Sequence, residues 1–262
     1  MSTVMEKDTE LNNEVQKAPV EHDPAKLALL EEMMKAGLYM GKRHAKTHPR
    51  MKPYLFGVRS GVEVIDLEET LKMLDAAMDF VKSKVAAKGV VLMVGSTPVA
   101  KDLVEAMAKK LSLPYVTERW LGGTLTNFKT LSKRVAHFKK LKSDKESGRL
   151  EKYTKKERLN IDRQITKMTT MFGGIEHMDR LPDVVFVVDV AKQMTAVREA
   201  KRVKAPVVGV LNSDTDPESV DYPIAANDRS MASIAWMLAR FEKAVLEGRA
   251  AVPEAGKVVA KA

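Results

Sequence analysis

Two histidines, His44 and His48, have a spacing that could bring both rings onto one metal ion. They lie in a stretch with no acidic residue or thiolate to serve as a third ligand, and Pro49 disfavours the helix that would align their rings. The chain of 262 residues contains no cysteine, which excludes disulfides, thiolate nucleophiles and thiolate metal ligands. The sequence therefore predicts neither a metal site nor a cofactor.

Signatures of nucleotide binding and catalysis are present only in fragments. The run from Gly37 to Arg43 imitates a phosphate loop, but it is one residue short and lacks Ser or Thr after its lysine. The loop at Gly95 has one glycine where a dinucleotide-binding turn needs three. Asp66 and Asp189 follow predicted strands and could act as general bases, but neither has an obvious partner nearby in the sequence. We predict that the chain is not an enzyme. The alternative is a nucleotide-binding or RNA-modifying α/β enzyme that uses the loops near Gly95 or Asp189.

Positive charge is concentrated in two stretches of a chain whose net charge is +9. Residues 40–59 hold six Lys or Arg and no Asp or Glu, and residues 129–180 hold 15 Lys or Arg against 7 Asp or Glu. Phosphate neutralisation with release of counterions supplies most of the affinity of polyanion-binding proteins, so this distribution favours a nucleic-acid partner. The first stretch mixes Arg, Lys, His and Tyr, which suits phosphate contact and base stacking on folded RNA.

A glycine-containing run, Arg119 to Thr130 with the sequence RWLGGTLTNFKT, precedes the second basic stretch. The pair Gly122 and Gly123 permits a sharp turn or a close approach of the backbone to a ligand. Two interpretations stay open. The run is a turn that begins a helix, with Trp120 and Phe128 in the core, or it is a loop that presents its polar and aromatic residues to a partner.

Hydrophobic patterning predicts the fold class. From Val62 onward, short apolar runs alternate with amphipathic helical stretches, and residues 90–94, 184–188 and 206–211 are typical of strands buried on both faces. This alternation implies an α/β protein with a doubly wound parallel sheet and right-handed crossovers. Residues 39–54 contain a glycine and prolines, so we expect an irregular stretch there.

Residues 125–175 interrupt this pattern with two amphipathic helices. Their apolar residues recur at steps of three and four and form two seams: Leu125, Phe128, Leu131, Val135, Phe138 and Leu141; then Ile161, Ile165, Met168 and Phe172. Turn residues over 143–148 separate the seams, which predicts an antiparallel coiled-coil hairpin inserted into the α/β domain. Its basic outer faces favour contact with a partner, although an ordinary helical subdomain would show the same pattern.

The predicted organisation has four parts. A discontinuous α/β domain spans residues 23–124 and 176–248, with the last helix ending at Gly248, and the hairpin occupies residues 125–175. The polar residues 1–22 are expected to form a disordered extension, and residues 249–262 a flexible tail. No apolar run is long enough to span a membrane, and the acidic first residues do not resemble a signal peptide, so we expect a cytoplasmic protein.

Five stretches are distinctive, in chain order residues 49–57 (PRMKPYLFG), 67–70 (LEET), 119–130, 181–183 (LPD) and 212–221 (NSDTDPESVD). Together they resemble the bacterial-type ribosomal protein S2 family of the small subunit, and the resemblance spans about residues 33–249. The resemblance implies a flavodoxin-like sheet with an inserted hairpin. It also implies a structural constituent of the 30S subunit that binds 16S rRNA, supports assembly, contacts neighbouring ribosomal proteins and helps to seat the messenger-binding protein S1. Residues 38–42 (LYMGK) depart from the family's pattern, which usually has histidines there.

We therefore predict an RNA interface made by the basic loop and the basic hairpin, with no membrane contact and no small-molecule substrate. Cations would contact phosphates, while the aromatic and amide side chains would make stacking or shape contacts. The candidate residues are Lys42, Arg43, His44, Lys46, Arg50, Lys52, Tyr54, Arg119, Trp120, Asn127, Lys129, Lys133, Arg134, Lys155 and Lys156.

Overall fold

The structure, a computed structural model, describes residues 24–251. The expected disordered extension over residues 1–22 and most of the expected tail lie outside the described residues. The helices and strands are α1 (Pro24–Lys35), β1 (Met40–Arg43), β2 (Leu55–Arg59), β3 (Val62–Ile65), α2 (Leu67–Ala86), β4 (Val91–Val94), α3 (Pro98–Leu111), β5 (Tyr115–Val116), α4 (Phe128–Glu146), α5 (Lys155–Phe172), β6 (Val184–Val188), α6 (Met194–Arg202), β7 (Val207–Leu211), β8 (Tyr222–Ala225) and α7 (Met231–Ala250).

Five strands form a parallel sheet in the order β5-β4-β6-β7-β8. Every residue of β4, β6 and β7 is buried, as their continuous apolar sequences predict. Successive side chains of a strand point to opposite faces, so Val91 and Met93 pack with α2, α3 and α7. Leu92 and Val94 pack on the other face with α6, the hairpin and the loops before it. The prediction of an α/β protein with a parallel sheet is confirmed.

A second, antiparallel sheet of three strands has the order β1-β3-β2. The prediction that residues 39–54 are irregular is wrong for Met40–Arg43, and β3 belongs to this sheet and not to the parallel one. The turn between β2 and β3 places β3 in this sheet. Ser60 and Gly61 both have positive φ, at 53° and 76°, which is the backbone of a tight two-residue hairpin.

The helices α4 and α5 pack against each other along their seams. Leu131, Val135 and Phe138 of α4 are buried, as are Ile165 and Phe172 of α5, and Lys145 Nζ of α4 lies 2.9 Å from Asp162 Oδ1 of α5. The connecting turn follows Glu146 and is therefore later than the predicted turn over 143–148. It ends at Thr154, which caps α5 in a reciprocal capping box with Glu157.

The helix α7 continues past Gly248 to Ala250, so the predicted end of this helix at Gly248 is wrong. A Cβ atom at Gly248 would lie 2.7 Å from the carbonyl oxygen of Lys82 and 3.0 Å from Val85 Cβ, both on α2. The glycine therefore serves close packing of α7 on α2 rather than helix termination. Within residues 24–251, no helix has the length and apolar character needed to cross a membrane.

Candidate nucleic-acid interface

The Gly-rich loop, residues 119–127, folds around one carboxylate, that of Glu199 on α6. Glu199 Oε1 accepts hydrogen bonds from Trp120 Nε1 at 3.1 Å and from the backbone N–H of Gly123 at 2.8 Å. Oε2 accepts from the backbone N–H groups of Leu125 and Thr126 at 3.0 and 3.3 Å, and from Thr126 Oγ1 at 3.3 Å. Gly123 has a φ of 89°, a conformation that favours glycine.

Glu199 is 8% exposed. Burial alone would raise its pKa, but the hydrogen bonds from Gly123, Leu125, Trp120 and Thr126 outweigh burial and lower the pKa. The carboxylate is therefore charged at neutral pH and satisfies buried donors of the loop. Sequence reasoning did not find Glu199, and the only local signal is a glutamate among the buried residues Ala196, Val197 and Ala200 of α6.

Trp120 is 8% exposed and Phe128 is partly buried against the same core cluster. Of the two interpretations of the run, the core interpretation holds for these two aromatic residues. The outer side of the loop is different, because Arg119, Asn127 and Lys129 are exposed. Within the described residues, neither Arg119 nor Lys129 forms an ion pair with another side chain.

The Gly-rich loop forms a continuous surface with the base of the hairpin. A cleft of about 240 Å³ lies between them, lined by Gly122 and Asn127 on the loop and by Arg134 on α4. A larger cleft of about 860 Å³ lies at the carboxyl ends of β4 and β6 and has Arg119 and Lys192 in its lining. Cations on the outer side of this region therefore border two concave surfaces.

The five predicted hairpin cations, Lys129, Lys133, Arg134, Lys155 and Lys156, are all exposed. Over residues 24–251 none of them has an acidic partner within ion-pair distance. The same is true of Lys140, Arg158, Arg163 and Lys167, which the prediction did not include. Other hairpin cations are paired inside the protein, among them Lys142 with Glu176 and Lys145 with Asp162.

Residues 42–54, here called the basic loop, contain both free and engaged cations. Arg43, Lys46 and Lys52 are exposed, with no ion pair among the residues that the structure describes. Arg50 lies 2.7 Å from Asp216 and 3.0 Å from Glu218, yet its side chain is 54% exposed. His44 Nδ1 lies 2.7 Å from Glu63 Oε1. Tyr54 is partly buried against the core cluster that contains Trp120.

Lys42 is held inside the fold. Its Nζ lies 2.6 Å from Asp214 Oδ2 and 3.7 Å from Asp228 Oδ2, and its side chain is only 10% exposed. Its backbone N–H donates to Ser213 Oγ at 2.9 Å. The structure thus gives Lys42 two carboxylate partners from the loops after β7 and β8, and a phosphate would have to compete with both.

Asp189, at the end of β6, belongs to the same buried charge cluster. Burial and the nearby charge of Asp228 raise its pKa to about 6, while Lys42 and the backbone N–H of Lys192 act in the opposite direction. Across residues 24–251 no group of three or more His, Asp or Glu side chains is arranged to hold a metal ion. The cluster is a set of carboxylates around one lysine.

An apolar groove lies between α1 and the antiparallel sheet. It has a volume of about 610 Å³ and includes Met34, Phe56, Val58 and Val64 in its lining. Phe56 is 80% exposed, Met34 57% and Val58 52%, so the groove leaves large apolar side chains in water. Large exposed apolar patches mark sites that contact another protein, a membrane or a ligand.

Comparison with known proteins identifies close relatives. The family model for ribosomal protein S2 matches residues 33–248, which include the basic loop, the Gly-rich loop and the hairpin. The small ribosomal subunit protein uS2 of Bifidobacterium adolescentis is 43% identical over 223 residues, covering 84% of this chain and 81% of the relative. The small ribosomal subunit protein uS2 of Francisella tularensis subsp. novicida is 39% identical over 223 residues, covering 85% of this chain and 93% of the relative.

Proposed function

Because the chain belongs to the ribosomal protein S2 family, we propose that it is a structural constituent of the small (30S) ribosomal subunit and acts in translation in the cytoplasm. Its relatives are named as ribosomal proteins, a family not known for enzymes. The prediction that the chain is not an enzyme agrees with this membership, and no observation favours the alternative of a nucleotide-binding or RNA-modifying enzyme.

The proposed ligand is 16S rRNA, bound by the basic loop, the outer side of the Gly-rich loop and the hairpin. The observation that carries this proposal is the set of exposed cations without acidic partners in the described residues: Arg43, Lys46, Lys52, Arg119, Lys129, Lys133, Arg134, Lys155 and Lys156. Unpaired cations contact phosphates without first losing an internal ion pair. Arg50 and His44 would share such contacts with their acidic partners. Lys42 and Trp120 would support the interface from inside the fold.

The finer description of the fold is also a proposal. Counted within the parallel sheet alone, the strand order is 2-1-3-4-5, which supports a flavodoxin-like arrangement. The buried seams of α4 and α5 support an antiparallel coiled-coil arm over residues 125–175, inserted between α/β segments over residues 23–124 and 176–248. An arm of this shape extends the basic surface beyond the sheet.

Protein neighbours in the subunit, including ribosomal protein S1, would be contacted by the apolar groove. A protein partner would remove the exposed apolar side chains of Phe56, Val58 and Met34 from water. A phosphate group would find no charged partner among these three side chains. Through both surfaces the protein would support subunit assembly.

Sedimentation of a cell lysate tests the central proposal. On sucrose gradients at low salt the chain should migrate with the small subunit, and it should move to the top of the gradient as salt rises, because its contacts are electrostatic. A chain that stays free at the top of the gradient at both low and high salt would overturn the proposal.

A further inference from the structure

We propose that Glu199 is a positioning residue for RNA binding: its carboxylate sets the shape of the Gly-rich loop before RNA arrives. The inference rests on the proposed function, because it assumes that the outer side of this loop contacts rRNA. Glu199 itself lies on the inner side of the loop and would not touch the RNA.

The first argument is the number and origin of the donors. One carboxylate receives five hydrogen bonds from four residues of a loop that has no helix or strand of its own. Three of the donors are backbone N–H groups, of Gly123, Leu125 and Thr126. Buried N–H groups without an acceptor are costly, so this carboxylate selects one conformation of the loop.

The second argument is the separation between the inner and outer sides of the loop. Leu125 is 1% exposed and Trp120 8% exposed, and both face the core with Glu199. Arg119, Gly122 and Asn127 are exposed, whereas Thr126 is exposed but donates its backbone N–H and its Oγ1 hydroxyl to Glu199. A negative charge close to an RNA surface would repel phosphates, but here its donors enclose it and it lies beneath the loop.

The third argument is the connection of the loop to the hairpin. The backbone N–H of Asn127 donates to the carbonyl oxygen of Gly123 at 2.9 Å, and the N–H groups of Thr130 and Leu131 donate to the carbonyl oxygen of Asn127. Gly123 is therefore bonded both to Glu199 and to the residue that precedes α4. A change in the loop would move the start of α4, which carries Lys133 and Arg134.

The test uses the full chain with Glu199→Gln, which keeps the size of the side chain but replaces one acceptor oxygen by an NH₂ donor facing the loop's own donors. Glu242→Gln is the matched control, because Glu242 is a partly buried helical glutamate whose ion pair with Lys110 lies outside the loop. All variants carry Trp236→Phe, so that fluorescence reports only on Trp120. The ligand is the small subunit stripped of this protein at high salt.

We expect Glu199→Gln to weaken binding to stripped subunits by about tenfold or more, the scale of one missing hydrogen bond to a charged group. Amide exchange at Gly123 and Leu125 should accelerate and the emission of Trp120 should shift. Exchange in β6 and β7 should stay at the parental rate, which a general loss of stability would not allow. Glu242→Gln should change none of these.

Parallel variants separate the possible failures. If Arg119→Ala weakens binding while Glu199→Gln frees the loop amides without weakening it, the positioning inference is overturned and the proposed function stands. If neither variant changes binding, the proposed contact between the Gly-rich loop and RNA is wrong, and the positioning inference that rests on it is overturned as well. Should Glu199→Gln not fold, Glu199→Asp keeps the charge on a shorter side chain; full binding by that variant with unprotected loop amides would also overturn the inference.

Discussion

Lys42 of β1 and Asp214 of the loop after β7 form an ion pair with 2.6 Å between Nζ and Oδ2. The pair joins the antiparallel sheet to the carboxyl edge of the parallel sheet, 172 residues away along the chain. Asp228, which is 2% exposed, has its Oδ2 atom 3.7 Å from the same ammonium group. A residue of the basic stretch thus pairs with the buried Asp228 and the partly exposed Asp214 of the fold.

Replacing Lys42 by Met should therefore destabilise the protein, because it leaves Asp214 and Asp228 without their cation. We expect the free energy of unfolding to fall by about 2 to 4 kcal/mol, as when one partner of a largely buried ion pair is removed. Urea denaturation of the parent and the variant measures this difference in the free energy of unfolding. Lys46→Met is the control, since Lys46 is exposed and has no ion pair among residues 24–251. Equal stability of the two variants would show that the Lys42 cluster does not stabilise the fold.

Asp189 makes stability depend on pH. Its pKa is raised from 3.8 to about 6, so between these values the folded protein binds a proton that the unfolded chain does not. Its contribution to stability is present at low pH and is lost as pH rises through 6. Asp189→Asn removes this loss of stability because asparagine does not ionise. Asparagine also adopts a positive φ, such as the 62° at this position, more readily than most residues.

We expect Asp189→Asn to be more stable than the parent by about 3 kcal/mol at pH 7.5 and nearly equal to it at pH 4, because the pKa is raised by about two units and each unit corresponds to about 1.4 kcal/mol. Chemical denaturation over this pH range measures the difference. Asp179→Asn, at a side chain that is 91% exposed, should leave the profile unchanged. A stability difference for Asp189→Asn that stays constant from pH 4 to 7.5 would contradict the raised pKa.

Gly248 provides a packing test. A methyl group there would lie 2.7 Å from the carbonyl oxygen of Lys82, so Gly248→Ala should push α7 away from α2 and cost about 1 to 3 kcal/mol despite the better helix propensity of alanine. Thermal unfolding would detect the change. Gly57→Ala serves for comparison, because a Cβ at Gly57 would meet no atom within 4 Å. A stabilised Gly248→Ala protein would show that α7 does not pack this closely on α2.

The parallel sheet could be predicted because its signal is local. Strands β4, β6 and β7 are continuous apolar runs, and burial on both faces leaves no other role for such runs. Strand β1, with the sequence Met-Gly-Lys-Arg, has no such signal. It is a strand because Gly41 permits close approach to Glu63, where a Cβ would meet the carbonyl oxygen at 2.7 Å.

The exposed cations of the candidate interface could be predicted from the sequence, but the residues held inside the fold could not. Clustered charge locates the hairpin cations, since an exposed helix face is evident from the seam on its opposite side. Lys42 is withdrawn from solvent by its ion pair with Asp214, and Trp120 is held in the core by its hydrogen bond to Glu199. Both acidic partners are distant in the chain and show no local sequence pattern. Composition indicates that a lysine is present, but only the tertiary fold decides whether an aspartate has already neutralised it.

The hairpin cations allow the last prediction, which concerns salt dependence. Each of Lys133→Ala, Arg134→Ala, Lys155→Ala and Lys156→Ala should weaken binding to stripped small subunits and lower the slope of log K against log salt concentration by about 0.7 to 0.9 for each phosphate that is no longer neutralised. The controls are Lys142→Ala and Lys145→Ala on the same hairpin, because these lysines are paired with Glu176 and Asp162. Slopes measured between about 50 and 200 mM salt would decide. If paired and unpaired lysines give the same slope change, pairing within the protein does not determine which cations contact RNA; if no variant changes the slope, the hairpin is not the electrostatic surface.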